Sequence, residues 1–421
     1  MANLTNDYSC DQVSQPLLST ADALKYLFNA PTPPKHHHIE SLDNSLYGVL
    51  AQDVCSGINV PEFDNSAMDG YALSLTDEQI NTPGNLYFKI SDRITAGSTG
   101  AQLQPGHAAR IFTGAPIPSG ANTVVIQEEC ELSDDGSHIE TWKPLALNEN
   151  IRPKGNDIKT GDVILKKGTQ LKPQDIALCA SIGVNKLTIY NKVKVGVFFT
   201  GDELVEPGNP LKDAQIYNSN RYSLIALLKQ LNCNIINLGN INDSFKATKE
   251  ALGQLSNSCD IIITTGGVSV GEEDHVKPAV EQLGELNLWR IKMKPGKPLA
   301  FGHINQSFFI GLPGNPVSAM VTFCLFARPF IKKLQGATNF KNQSRNIQCG
   351  FDWNRPKPRR EFVRVQLDNS TIPPTAKLFP KQGSDVLSSL TWADGLVEIP
   401  DNKTFKQGDI LQYFSLMELT Q

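Results

Sequence analysis

The sequence predicts a multidomain protein of the α/β and β class: a doubly wound α/β domain, a β-rich inserted domain, a mixed linking domain and a C-terminal β-barrel-like domain. Three observations lead there. Apolar runs alternate with helix-period segments between residues 192 and 334. Short β-prone pieces rich in Gly, Pro and Thr fill residues 53–142, and helical pattern returns after them. From residue 335 onward the chain again reads as strands. A length of 421 residues exceeds one ordinary core, and at roughly 100–200 residues per domain two to four units are expected. The expected boundaries are 15–52 plus 143–190 for a discontinuous linking domain, 53–142 for the insertion, 191–335 for the α/β domain and 336–421 for the C-terminal β domain.

The elements follow in chain order. Residues 21–29 are weakly helical, and "PTPPKHHH" breaks them. His36, His37 and His38 could bind a metal, but their Pro-rich setting reads as an exposed loop. Residues 39–51 can resume as a helix, because Leu42, Leu46, Val49 and Leu50 recur at helical spacing. "LYFKI", "ARIFT", "NTVVIQ" and "HIETW" supply strands of the insertion. Pro173 opens "PQDIALCASIG" as a first-turn proline, and Gly183 fits a stop just past its end. "VKVGVFF", "CNIINLG" and "DIIITT" are apolar strands. "RYSLIALLKQL" is a helix with Leu224, Ile225, Leu227, Leu228 and Leu231 on one face. Ser244 can cap a helix over "FKATKEALGQL". A helix through "KPAVEQL" leads to "LNLWRIKM". "SFFIGLPGNP" then delivers a glycine loop, and "VSAMVTFCLFARPFIKKL" closes the unit as a long buried helix. "EFVRVQL", "GLVEIP" and "DILQYF" are strands of the last domain.

Composition narrows the function. Hydrophobic residues make up 40% and charged residues 19%, the balance of a soluble globular enzyme rather than a disordered chain. A net charge of −4 argues against a nucleic-acid footprint. The eight cysteines are scattered, with no CxxC spacing, so a zinc ribbon or thioredoxin-type site is excluded and reduced thiols are expected. No apolar run approaches the ~20 residues of a membrane span. The N-terminus lacks a signal pattern, so a cytoplasmic location is expected.

Four groups of loops carry the chemistry. In "PEFDNSAMDGYA", Asp64 and Asp69 flank small polar residues; an ordinary Asx-turn hairpin accounts for this as well. In "RIFTGAPIPSGANTVV", Thr113 and Gly114 follow a strand and precede two prolines, which suits either a ligand loop or plain turn chemistry. In "IRPKGNDIKTGDVIL", Arg152 and Lys154 stand beside Asp157, either a phosphate-and-metal neighbourhood or a surface turn with solvated charges. The fourth group is the most informative. Glu203 lies just beyond the first α/β strand, Asp243 beyond the next and Asp274 beyond the third. Lys294, Lys297 and the loop through Pro313, Gly314 and Pro316 belong with them. Loops after parallel strands converge on one edge of a doubly wound sheet, where ligands bind.

The loop "TTGGVSVGEEDHV" poses a conflict of charge. Gly266 and Gly267 offer backbone donors to an anion, yet Glu272, Glu273 and Asp274 follow at once. Two unit charges about 5 Å apart interact by about 3 kcal/mol at an effective dielectric constant of about 20, so several carboxylates would repel a phosphate. A bound Mg²⁺ reverses the sign, because carboxylate and phosphate oxygens form its usual shell. The acids therefore predict a metal-bridged anion site. The chain has no HExxH, no P-loop and no GxGxxG in a Rossmann context, which leaves hydride transfer without its parts.

Together, "FDNSAMDGYA", "FTGAPIPSGAN", "GDEL", "TTGGVSVGEEDH", "KPGKPLAFG" and "GLPGNPVSA" closely resemble the molybdopterin molybdenumtransferase family, the MoeA-like proteins related to the gephyrin E domain. The motifs occur in the family's order from about residue 15 to the C-terminus. The resemblance implies a molybdopterin-binding α/β domain within an elongated homodimer whose active site is shared between subunits. It implies insertion of molybdenum from molybdate into adenylyl-molybdopterin, release of AMP and a need for Mg²⁺. Contact with the adenylyltransferase and with downstream molybdoenzymes is implied as well, and neither nucleic acid nor membrane as a partner. The family's catalytic positions fall on Asp64, Thr113, Asp157, Glu203, Asp243 and Asp274, with Glu203, Asp243 and Asp274 as metal ligands. The pterin-binding positions fall on Gly266, Gly267, Ser269, Lys294, Lys297, Pro313, Gly314, Pro316 and Ser384. Arg359 and Arg360 match a basic stretch, and His275 stands where relatives carry an aromatic. Two other readings share the fold: a pterin adenylyltransferase, which the insertion and C-terminal β domain speak against, and a non-catalytic E-domain-like scaffold, which would have no need to retain the acids.

Overall fold

The computed structural model describes residues 17–31, 36–267 and 274–420. The α/β domain is built on six strands in the order Asn234–Ile241, Lys194–Thr200, Ile261–Thr265, Ser307–Leu312, Pro298–Ile304 and Gly284–Arg290. The first four run parallel, as their continuous apolar sequences require. Pro298–Ile304 runs antiparallel to both its neighbours, so Gly284–Arg290, which holds the start of "LNLWRIKM", joins the edge through an antiparallel pair although it points the same way as the first four. Val195, Val197, Phe198, Ile261, Ile262 and Ile263 are at most 0% exposed. Side chains alternate to the two faces of a strand, and two clusters divide them. Leu224, Leu227 and Leu228 of helix Ser219–Gln230 pack on one face, and Ala251, Leu252 and Leu255 of helix Phe245–Ser256 on the other. Each such buried leucine contributes about 1.5–3 kcal/mol. Ser244 caps the second helix, accepting from the Ala247 N–H.

The long buried helix spans Pro316–Thr322, Phe323–Ala327 and Arg328–Leu334, and its middle part is a π segment. Pro329 explains it. A proline inside a helix has no N–H to give to the carbonyl four residues back and clashes with it. That carbonyl belongs to Leu325, and it accepts instead from Asn342 Nδ2 at 3.1 Å.

The inserted region folds as a six-stranded mixed sheet ordered Thr123–Ile126, Gly70–Leu73, His107–Ile111, Leu86–Ile94, His138–Thr141 and Cys130–Leu132. Phe88, Val125 and Leu73 fill one side, and Ile94, Ile111 and Val124 the other. Two short antiparallel pairs bracket it: Asn65–Ser66 with Ile151–Arg152, and Val54–Cys55 with Val163–Leu165. Helix Pro173–Ser181 begins on its proline, and Gly183 follows its end with φ 78°.

Two expectations for the linking region need correction. His37–Ser41 is a strand paired antiparallel with Lys186–Tyr190, not a loop followed by helix. His38 Nδ1 lies 2.7 Å from Asn191 Oδ1, and Nε2 lies 3.5 Å from Glu40 Oε2. Residues 39–51 form no α-helix beyond the single 3-10 turn Leu42–Asn44. Tyr47 has φ 62°, which a continuing helix forbids. Leu50 and Val49 instead reach separate clusters, and Leu46 is exposed.

The C-terminal strands close on themselves. Arg360–Asp368 pairs with Thr375–Leu378 and with Gly395–Ile399; Arg345–Cys349 and Ile410–Ser415 complete the ring. This is a closed five-stranded barrel around Ile347, Val363, Val365, Val397 and Leu411. The barrel is joined to the α/β domain by Met293–Lys294, which pairs in parallel with Arg360 and Glu361. No helix among the described residues is long and apolar enough to cross a membrane.

Candidate active site

The register of the parallel strands decides where the site lies. Thr200 pairs with Ile241, Phe199 with Thr265, and Thr265 with Leu312, so the loops beginning at Gly201, Asn242, Gly266 and Pro313 leave one edge together. A cleft of about 660 Å³ opens there. Its walls include Glu203, Gly266, Lys294, Lys297, Pro313, Gly314 and Pro316 from the α/β domain, and Arg359 and Ser384 from the barrel. Nine of the residues expected to act from sequence thus share one cavity.

The acids sit at the rim of the same edge. Asp243 accepts a 2.6 Å hydrogen bond from the Thr200 hydroxyl, and Thr200 lines the cleft. Glu203 is exposed and curls back over Gly201: a Cβ there would stand 2.6 Å from Glu203 Oε2, and Gly201 has φ 145°. Asp274 Oδ1 accepts from the Val276 N–H at 3.3 Å. A Cβ on Gly267 would lie 3.5 Å from the same oxygen and 2.6 Å from Val276, so glycine lets the two ends of the 267–274 loop meet. Ser269, Glu272 and Glu273 lie outside the described residues. Among the described residues no group of three or more His, Cys, Asp or Glu side chains converges tightly enough to hold a metal ion.

Cations line the cleft as well. Lys294 Nζ is 4.0 Å from Glu361 Oε2, a carboxylate almost entirely buried at the barrel seam, and Lys357 pairs with the other oxygen at 2.9 Å. Lys297 is exposed and Arg359 half-buried. Arg360 points elsewhere: it donates to Thr20 Oγ1 and pairs with Glu398 at 3.1 Å, so of the two arginines only Arg359 reaches the cleft. Ser384 is locked to the glycine-proline loop, where its Oγ accepts from Asn315 Nδ2 at 3.2 Å and its carbonyl from the Val317 N–H at 3.1 Å.

The remaining expected residues form a second cluster. Asp64 Oδ1 accepts from the Lys154 N–H at 2.7 Å, and the Asp157 N–H donates to Val60. Ile117, close after Thr113, donates its N–H to the Asp64 carbonyl. Thr113 gives its N–H and hydroxyl to Asp69 Oδ1, each at 2.8 Å, which holds the Asp69 carboxyl below the usual range. Asp64, Thr113 and Asp157 are all exposed, and none of them lines the cleft.

Comparison with known proteins identifies this architecture. Residues 18–183 match the MoeA N-terminal region (domain I and II), residues 196–333 a probable molybdopterin binding domain and residues 346–416 the MoeA C-terminal region (domain IV). A molybdopterin molybdenumtransferase of Haemophilus influenzae is 44% identical over 320 residues, 75% of this chain and 77% of that protein. The chain belongs to the MoeA family. A Staphylococcus aureus molybdopterin molybdenumtransferase is 33% identical across 87% of this chain and 88% of its own. The crystal structure of the molybdopterin biosynthesis MoeA protein from Pyrococcus horikoshii superposes with a TM-score of 0.82 at 29% identity, covering 95% of this chain and 100% of that one. The protein is therefore an enzyme with a role in molybdenum cofactor biosynthesis.

The MoeA cleft also uses residues that sequence reading passes over. Asn218 caps helix Ser219–Gln230 by accepting from the Arg221 N–H, and its amide donates to Asn240 at 2.6 Å. Asn220 Nδ2 donates to the Gly314 carbonyl at 2.7 Å, which fastens the glycine-proline loop. Both line the cleft, with Ile216 and Tyr217 beside them. The one available signal was an asparagine pair at a helix start.

Proposed function

We propose that this enzyme inserts molybdenum into adenylylated molybdopterin, taking molybdate as the metal source and releasing AMP. The observation that supports this most is the make-up of one cleft, which Lys294, Lys297, Arg359 and Ser384 line together with Glu203 and the loop residues Gly266, Pro313, Gly314 and Pro316. Cations and backbone donors suit the oxyanions of a pterin phosphate and of molybdate. Pro313, Gly314 and Pro316, fastened by Asn220, give the pterin a rigid wall.

The donor chemistry at the rim fits Mg²⁺. Glu203, Asp243 and Asp274 present hard carboxylate oxygens from three neighbouring loops. Mg²⁺ takes one or two protein carboxylates and completes its shell with phosphate oxygens and water, so a closed three-acid cage is not required. When bound, the ion would neutralise charge on the phosphate linkage that is cleaved. The chain's own contribution is orientation. The Thr200 hydroxyl fixes Asp243, and the lysines hold the anions in line. An oxygen of molybdate bonds to the adenylyl phosphorus as the bond from that phosphorus to the pterin phosphate breaks; the two dithiolene sulfurs then bond to molybdenum, giving up their protons, as the bond between molybdenum and that oxygen breaks, so the oxygen leaves in AMP. No covalent enzyme intermediate is involved.

The second cluster enters this reading through a homodimer. Asp64, Thr113 and Asp157 are exposed and outside the cleft of their own chain, as residues completing a partner's site would be.

The decisive assay incubates the protein with adenylylated molybdopterin, molybdate and Mg²⁺ and follows AMP. Molybdate-dependent AMP release supports the proposal. ATP consumption with bare molybdopterin would identify an adenylyltransferase, and silence in both assays a scaffold. Asp274→Asn is expected to abolish release with the fold intact; an unchanged rate would remove the metal-site argument.

A further inference from the structure

We infer that Arg364 is a positioning residue for the oxyanion end of the cleft: its buried guanidinium fixes the 381–383 turn and thereby holds Ser384 at the cleft wall. This rests on the reading of that wall as the oxyanion site.

Arg364 lies in strand Arg360–Asp368 and is 1% exposed. A guanidinium so placed is costly unless its donors are satisfied. Among the described residues it forms no ion pair within 4.0 Å. Its donors go to the turn instead. Nη2 donates to the Gly383 carbonyl at 2.8 Å and to the Lys381 carbonyl at 3.5 Å, and Nε donates to Ser389 Oγ at 3.0 Å. The Arg364 backbone holds the same turn: its N–H donates to Gln382 Oε1, and its carbonyl accepts from Gln382 Nε2, each at 2.9 Å. The residue after Gly383 is Ser384, which meets Asn315 and Val317 of the glycine-proline loop and lines the cleft with Lys297 and Arg359.

The chemistry explains why an arginine stands here. An apolar side chain of equal volume would fill the space without burying a charge, but it could not bind carbonyls. A lysine is a point charge and cannot reach the turn and Ser389 from one planar fork. Burial lowers the guanidinium pKa to about 10, and the more distant carboxylates of Asp385 and Glu361 act against that shift. The group remains charged at neutral pH, adding positive potential behind Ser384.

The test is a double-mutant cycle in the AMP-release assay with molybdate varied. Arg364→Lys is expected to raise KM for molybdate about tenfold with kcat within about twofold, the loss of a charge-assisted contact made equally in ground and transition states. Ser384→Ala is expected to do the same. Because both act through one hydroxyl, the double variant should be no worse than Ser384→Ala alone. Effects that multiply would show Arg364 to be merely structural and overturn the inference. Arg359→Ala is the control. If it raises KM while Arg364→Lys is silent, the positioning role alone falls; if Arg359→Ala is silent, the oxyanion reading falls and the inference with it. Should Arg364→Lys not fold, Ser389→Ala removes one anchor of the guanidinium and must show the same dependence on Ser384.

Discussion

Thr200 Oγ1 donates a 2.6 Å hydrogen bond to Asp243 Oδ1, joining the ends of two neighbouring parallel strands at the mouth of the cleft. Thr200 is 7% exposed, so the bond is shielded on the donor side. Hydrogen bonds to charged groups contribute about 1.5–3 kcal/mol. Thr200→Val keeps the shape and removes the donor, leaving Asp243 free to turn to water. The expected outcome is a fall in kcat of about tenfold or more, with thermal unfolding little changed. Steady-state kinetics beside a melting curve check it; an unaltered kcat would mean that the orientation of Asp243 does not matter.

Gly201 and Glu203 make a second testable pair. A methyl group at Gly201 would meet Glu203 Oε2 at 2.6 Å, in a backbone conformation of φ 145° that L residues avoid. Gly201→Ala is expected to destabilise the fold by about 1–3 kcal/mol and to swing the Glu203 carboxylate away from its present path. Chemical denaturation measures the first effect. The second appears as a loss of activity comparable to that of Glu203→Gln, with no further loss when the two are combined.

The α/β half of this arrangement was legible because parallel strands buried on both faces read as unbroken apolar runs, and Val195–Phe199 and Ile261–Ile263 are of that kind. Strand ends then placed Glu203, Asp243 and Gly266 correctly without any tertiary information. Strand direction was not legible for Pro298–Ile304, which runs against both its neighbours, since an apolar run carries no sign of the neighbour it will pair with. Residues 39–51 misled because Leu42, Val49 and Leu50 mimic one helical face while serving different contacts, and pairing with Lys186–Tyr190 overrode local propensity. The barrel's contribution to the cleft was visible in motif only. That Arg359 rather than Arg360 reaches it depends on the parallel register of Lys294 against Glu361, which no local pattern encodes.

Lys332 gives a prediction on pH. It is 8% exposed in helix Arg328–Leu334, and burial, with the nearby charges of Arg328 and Lys172, lowers its pKa from 10.5 to about 8. Below about pH 8 the amine is charged folded and unfolded, and the folded chain bears the whole burial penalty. Between about 8 and 10.5 the unfolded chain holds more protons, so this group's contribution to stability rises with pH. Above 10.5 both states are neutral and the rise ends. Lys332→Met is expected to be more stable than the natural chain at pH 7 and to lose that increment as pH rises. Denaturation midpoints at pH 7 and 9.5 compare the two; equal differences at both pH values would contradict it.

The shared-site reading makes the sharpest numerical prediction. Asp64→Asn and Asp274→Asn are each expected to be inactive, one failing in the exposed cluster and the other at the cleft rim. If a site takes Asp274 from one chain and Asp64 from its partner, a mixed dimer holds one site with both acids intact and one with both lost. Random reassortment of equal amounts makes about half of the dimers mixed, so activity should return to about a quarter of that of the natural protein. A site confined to one chain would leave every dimer inactive, since no chain in the mixture carries both acids. Denaturing and refolding the two variants together, then measuring AMP release against each refolded alone, separates these outcomes. A monomeric mass in solution would rule out sharing before the kinetics are run.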